Sequence, residues 1–130
     1  MSRRRVEANR PWATVMGYSR AVRVGDLVEV AGTAPAAPDG TILARGDVEG
    51  QARAALQTIG AALGELGASF ADVVRTRILL ADETRWEEAA RAHGEVFRDV
   101  RPANTTVGGL RFVDPAILVE IEVTAVLDPG

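Results

Sequence analysis

The amino-acid sequence predicts an α+β fold, a mixed sheet with two helices on one face, in the order ββ(β)αβαββ. Three features lead there. Two β-prone runs flank a Gly25-Asp26 pair near the start. Two helix-periodic stretches alternate with a β-rich run in the middle. The chain closes on a segment that strictly alternates apolar and polar residues. No repeat, low-complexity tract or linker interrupts residues 12–127, so residues 12–130 are expected to form a single domain behind a flexible tail, residues 1–11.

Each element has its own warrant. Arg20-Ala21-Val22-Arg23-Val24 and Leu27-Val28-Glu29-Val30-Ala31 read as a hairpin, because Gly25 supplies the positive φ that a tight turn needs. Gly32 closes the second strand. Pro38-Asp39-Gly40 marks a further turn, with Thr41-Ile42-Leu43 as an optional short edge strand. From Asp47 the period becomes helical: Val48, Ala52, Ala55, Leu56, Ile59, Leu63 and Leu66 recur at three- and four-residue steps. Asp47 is the expected N-cap and Gly67 the expected stop. Residues 73–80 read as a strand. Thr84-Arg85-Trp86-Glu87 matches a capping box for a second helix ending near Phe97. After Arg101-Pro102 come a β-prone Thr105-Thr106-Val107 and a closing strand from Ile117 to Val126. Ile117, Val119, Ile121, Val123 and Ala125 face one way along it, and Glu120 and Glu122 face the other.

Composition narrows the chemistry. The chain of 130 residues has no Cys, no Lys and a single His, so all 15 basic residues are Arg. Schiff-base lysines, thiolate nucleophiles, disulfides and Cys-ligated metals are excluded. A formal charge of −3 gives no basic field for nucleic acid, and Arg3-Arg4-Arg5 reads as a solvated charge run. No apolar run approaches a membrane span, and the segment after the arginines is not that of a signal peptide, so a cytoplasmic location is expected.

Few side chains stand out as chemical groups. His93 shares a helix face with Trp86, Ala89, Ala90 and Phe97, which points to a packed imidazole rather than a catalytic one; one His without Cys makes no metal site. Glu120 and Glu122, roughly 6 to 7 Å apart by strand rise, could act as acid and base or simply face solvent. Tyr18 is the only Tyr, and Gly108-Gly109 suggests a bulge or close backbone approach. No phosphate-binding glycine loop is present. On these residues alone, a small-molecule enzyme and a binding module remain equal.

Five segments together resemble the Rid family (YjgF/YER057c/UK114), in the right order over nearly the whole chain. They are Tyr18-Ser19-Arg20-Ala21-Val22-Arg23-Val24-Gly25-Asp26-Leu27-Val28-Glu29-Val30-Ala31-Gly32, Asp47-Val48-Glu49-Gly50-Gln51, Gly67-Ala68-Ser69-Phe70-Ala71-Asp72-Val73-Val74, Arg101-Pro102-Ala103 and Val119-Glu120-Ile121-Glu122. The resemblance implies a chorismate-mutase-like fold and a homotrimer whose sheets form a central barrel, with small-molecule clefts between subunits. The best-known members hydrolyse reactive enamines and imines, such as 2-aminoacrylate, to the 2-keto acid and ammonia without a cofactor. By position, Tyr18 and Gly32 shape the cleft and Glu120 helps position the attacking water.

This chain departs from the pattern where the family places the Arg that pins a substrate carboxylate. It reads Pro102-Ala103-Asn104-Thr105-Thr106-Val107, with Ala90 and His93 replacing a common Asn and a common aromatic on the second helix. A charged bidentate donor contributes roughly 1.5 to 3 kcal/mol against 0.5 to 1.5 for a neutral one. Asn104 is therefore expected to weaken 2-imino acid binding by about tenfold or more. The resemblance gives a cleft lined by Tyr18, Gly32, Trp86, Asn104, Thr106 and Glu120, with Glu120 as base or water anchor, Asn104 as neutral donor and Arg20 as a candidate substitute anion anchor. Non-catalytic binding of a metabolite or protein is the alternative. Endoribonuclease activity, known for some relatives, fits poorly with the net negative charge.

Overall fold

The computed structural model describes residues 2–128; Met1, Pro129 and Gly130, at the ends of the two predicted segments, lie outside the described residues. The elements are β1 (Arg3–Glu7), α1 (Ala13–Met16), β2 (Ser19–Val24), β3 (Leu27–Thr33), α2 (Val48–Glu65), β4 (Val73–Leu80), α3 (Trp86–Phe97), β5 (Ala103–Val107) and β6 (Val119–Val126). They form one six-stranded sheet in the order β1-β2-β3-β6-β4-β5. β4 and β5 run parallel and every other neighbouring pair is antiparallel. No helix of the described residues is long and apolar enough to cross a membrane.

Helices α2 and α3 bury one face of this sheet. The apolar stripe predicted for α2 is buried throughout, with Ala52, Ile59 and Leu63 fully inaccessible against Val119, Ile121, Val123 and Ala125 of β6. Each buried Val, Leu or Ile among them contributes roughly 1.5 to 3 kcal/mol. The Asp47 carboxylate accepts from the Gly50 backbone N–H at 2.9 Å, as the cap requires. Gly67 ends the helix at φ 81°, where a side chain would be strained. Gln51 is fully buried and ties α2 to the chain before β6: it donates to the Ala116 carbonyl at 2.9 Å and accepts from the Leu118 N–H at 2.8 Å.

The structure corrects three expectations. The N-terminal segment is not a flexible tail: residues 3–7 add an edge strand to β2, Ala8 is buried, and Arg4 donates to the Glu65 carbonyl. Four of its five strand residues are exposed, so the strand forms by backbone pairing and leaves no hydrophobic alternation to read. Residues 41–43 make only an isolated bridge between Ala36 and Ile42. Thr84 does not open a capping box. The Asp82 carboxylate is two residues upstream and accepts from both the Thr84 backbone N–H and its hydroxyl, making Thr84 a donor. A capping box does form at Ser69–Asp72.

Three register shifts interrupt the sheet ladder; one lies on β4 at Val73–Arg75, and the other two flank the cleft. On β3, Val30 pairs with Val123 and Thr33 with Ile121, so Ala31 and Gly32 stand opposite the single residue Glu122. On β2, Ala21 pairs with Val6 and Ser19 with Glu7, leaving Arg20 as the extra residue. Gly108 packs so closely on Glu83 that a Cβ there would collide with its backbone, the close approach expected of the Gly108-Gly109 pair.

Candidate functional site

The sheet face away from the helices carries the polar side chains of β6. Glu122 forms an ion pair with Arg77 of β4 at 3.2 Å. That removes it from any acid and base pair with Glu120, which has no ion-pair partner among the described residues. Glu120 instead lies beside the β3 bulge, where a Cβ on Gly32 would stand 3.0 Å from its Oε1. The absent side chain of Gly32 is what lets the carboxylate lie against the backbone.

A cavity of about 350 Å³ opens at this point. Tyr18, Arg20 and Glu120 supply its polar groups, Ala31, Gly32 and Ala34 its backbone wall, and Trp12, Met16 and Val113 its apolar rim. A larger groove of about 600 Å³ runs along residues 109–112, but Arg111 is its one charged side chain. The smaller cavity is the one that gathers chemically distinct groups.

Arg20 is almost fully buried, 3% exposed. Its Nη1 donates to the Gly32 carbonyl at 2.9 Å and to Thr33 Oγ1 at 3.0 Å, bracing the β3 bulge. Its Nη2 has only a long 3.4 Å contact to the Tyr18 hydroxyl, and its Nε is buried with no acceptor among the described residues. Nη2 is therefore the least committed nitrogen of this guanidinium, with Nε enclosed behind it. The Tyr18 hydroxyl accepts from Trp12 Nε1 at 2.8 Å as well as from Arg20, so its own proton is left to donate. Burial pushes the Glu120 carboxyl above the usual carboxylate range; nearby Arg20 pulls it back in part, and Glu122 adds a smaller upward push.

The family model described as endoribonuclease L-PSP matches residues 7–127. The chain belongs to the Rid (YjgF/YER057c/UK114) family. A Mycobacterium tuberculosis member of that family, Rv2704, has a solved structure that superposes with a TM-score of 0.86 at 41% identity, covering 97% of this chain and all of that one. The Streptomyces coelicolor protein SCO2049 is 38% identical over 122 residues, 94% of this chain and 90% of its own length. The 3-aminoacrylate deaminase RutC of Acinetobacter baylyi is 31% identical over 104 residues, 80% of this chain and 82% of that one.

Within one Rid chain the predicted site residues do not all meet. Tyr18, Arg20, Gly32 and Glu120 share the cleft, whereas Asn104, Thr106 and Trp86 do not line it. The sheet register gives the reason. Asn104 pairs with Thr76, whose side chain points into the helix-covered core, and Glu120 pairs with Leu79, three residues further along β4. An odd step along a strand reverses the face, so Asn104 and Glu120 project from opposite sides of one sheet. Asn104 Nδ2 donates to Thr76 Oγ1, Thr106 Oγ1 donates to Asn104 Oδ1, and Thr76 Oγ1 meets His93 Nε2, each at 2.9 Å. Trp86 is exposed at the start of α3.

His93 is packed as expected, its ring 4.6 Å from that of Phe97, and burial lowers its pKa. Sequence reasoning missed Trp12, Met16 and Val113 at the cleft. Only Trp12 left a signal: an indole N–H needs an acceptor, and the chain's one phenol stands six residues on.

Proposed function

We propose that the cleft of Tyr18, Arg20 and Glu120 hydrolyses an imine, enamine or related carbonyl compound without a cofactor, in a homotrimer where β5 of a neighbouring subunit completes it. The observation that carries the reading is the meeting of Arg20 and Glu120: a buried cation without an ion-pair partner and a carboxyl raised by burial line one small cavity. All five residues of β5 are exposed in the single chain, an uncovered edge that assembly removes. Assembly also brings Asn104 and Thr106 to the cleft from the other subunit. The deaminase name of the RutC relative supports the same chemistry.

The residues divide the work by their chemistry. Arg20 holds an anionic group of the substrate through its Nη2, and the Tyr18 hydroxyl donates to a substrate oxygen or nitrogen. Ionised Glu120 accepts a proton from water, whose oxygen adds to the C=N carbon. The adduct takes that proton on nitrogen to give a carbinolamine, whose hydroxyl proton then passes by way of Glu120 to the same nitrogen as the C–N bond breaks, so that carbonyl product and ammonia leave. Burial makes Glu120 a stronger base than a free carboxylate once it is ionised. With Asn104 in place of the usual Arg and the Arg20 guanidinium half committed to the bulge, turnover of 2-aminoacrylate is weak or absent.

The test generates imines with an amino-acid oxidase and follows trapping by semicarbazide. Glu120→Gln is expected to lose about 10²-fold or more in turnover. Arg20→Lys raises KM for carboxylate-bearing imines more than for esters of the same compounds. Unchanged turnover in Glu120→Gln would sink the hydrolytic assignment. A metabolite that stabilises the protein in a thermal-shift screen and is recovered unchanged would replace it with a binding role.

A further inference from the structure

The hydrogen-bonded chain behind β5 has a direction. Thr106 Oγ1 donates to Asn104 Oδ1, and Asn104 Nδ2 donates to Thr76 Oγ1. Thr76 is fully buried, and its hydroxyl carries one proton. Because the Asn104 amide already donates to that oxygen, the hydroxyl proton goes to its other partner, His93 Nε2. His93 is therefore neutral with its ring proton on Nδ1. Asn104 keeps a second amide N–H outside the chain, on an exposed strand.

We propose that His93, acting through Thr76, is a positioning residue that sets which edge of the Asn104 amide faces the cleft, and that a proton on His93 reverses it. The importance of this for turnover rests on the function proposed above; the coupling between the three residues does not. When Nε2 gains a proton it becomes a donor to Thr76 Oγ1, and the buried hydroxyl proton loses its acceptor. Half a turn of the Asn104 amide restores every bond: Oδ1 accepts from Thr76 and Nδ2 donates to Thr106 Oγ1. The uncommitted amide N–H, the donor that Asn104 offers a ligand, then points along the other edge.

The surroundings leave this choice to the one proton. Among the described residues the ring's hydrogen-bond and ring-contact partners are Thr76 and Phe97, with Asn104 reached through Thr76, all of them neutral. On the α2 and α3 surface Glu49, Arg53, Arg91 and Glu95 pair with one another, and Arg85 pairs with Glu88. Asp72 and Asp82 are held by Ser69 and Thr84, and on β4 Arg75 bonds Thr105 and Arg77 bonds Glu122. No charged side chain contributes to the His93 shift, which burial alone moves below 6.5.

Side-chain amide spectra of the ¹⁵N-labelled full chain test this directly, since Asn9, Asn104, Gln51 and Gln57 are its only carboxamides. Between pH 8 and 5 the Asn104 amide signals are expected to shift with the same midpoint as the His93 ring nitrogens. Thr76→Val abolishes the Asn104 shift while His93 still titrates, and Thr76→Ser keeps it. An Asn104 amide that stays unmoved while His93 titrates overturns the proposal, as does a shift that survives in Thr76→Val. In the kcat/KM profile the wild type falls by up to about tenfold through that midpoint, the worth of one neutral hydrogen bond, and His93→Gln flattens the step. Coupled amide shifts in a protein without imine turnover would support the coupling and refute the proposed hydrolysis, so the two failures are separable.

Discussion

Gly32→Ala separates what the β3 bulge does for stability from what it does for the cleft. The added methyl would stand 3.0 Å from Glu120 Oε1, a few tenths of an ångström inside comfortable contact. The atom it meets is the far end of a flexible side chain with no ion-pair partner among the described residues, so the carboxylate yields rather than the backbone. Moving a Glu side chain off its preferred rotamer costs about 0.5 to 1.5 kcal/mol. Gly32 has no positive φ, so alanine is unstrained there and lowers the entropy of the unfolded chain by the equivalent of about 0.4 to 1 kcal/mol. The two effects nearly cancel, and the melting temperature is expected to stay within about 4 °C of wild type. Function has no such cancellation. A catalytic group displaced by about 1 Å can lose about 10²-fold. Thermal melts and the imine-trapping assay on the same preparation give both numbers. A variant that melts well below wild type yet turns over normally would refute the argument, because the bulge would then be structural and the position of Glu120 irrelevant.

Further outcomes concern the buried groups. Gln51→Leu leaves the Leu118 N–H and the Ala116 carbonyl without partners inside the protein, and urea denaturation is expected to show a loss of about 2 to 4 kcal/mol. The Glu120 carboxyl is raised in the folded state, so its contribution to stability is complete below pH 4.5 and is lost as pH rises through the raised value. The urea midpoint of Glu120→Gln relative to wild type should therefore increase between pH 4 and pH 8, and a constant difference would contradict the burial argument. His93 has the opposite sign: its folded value is lowered, so its contribution is complete above pH 6.5 and is lost as pH falls through the lowered value. His93→Gln should remove that acid-side decline from the stability profile.

How much of this was legible in the sequence depends on whether a feature is local. The Asp47 cap, the apolar stripe of α2, the full span of β4 and the inward and outward alternation of β6 arise from neighbouring residues, and the structure reproduces them. The edge strand β1 was not legible, because it is stabilised by backbone pairing to β2 and its side chains carry no pattern. The Thr84 capping box failed to a competitor two residues away, since an Asp82 carboxylate is the stronger acceptor. At the site, Tyr18, Arg20, Gly32 and Glu120 line one cavity, and the reason they meet is a pair of bulges that no periodicity records.

The sequence by itself determined the two long helices and the strands β2, β3, β4 and β6, the apolar faces that α2 and α3 bury and the chemistry available to a chain without Lys or Cys, because propensity, periodicity and side-chain type are properties of residues close along the chain. Register, and with it the sharing of faces, was decided by the tertiary structure. An offset of three residues along β4 places Asn104 against Thr76 and His93, and Glu120 on the other side of the sheet beside Gly32 and Arg20. Side chains alternate with a period of two, so strand pairing alone converts two residues sixteen apart in sequence into groups that one chain cannot bring together.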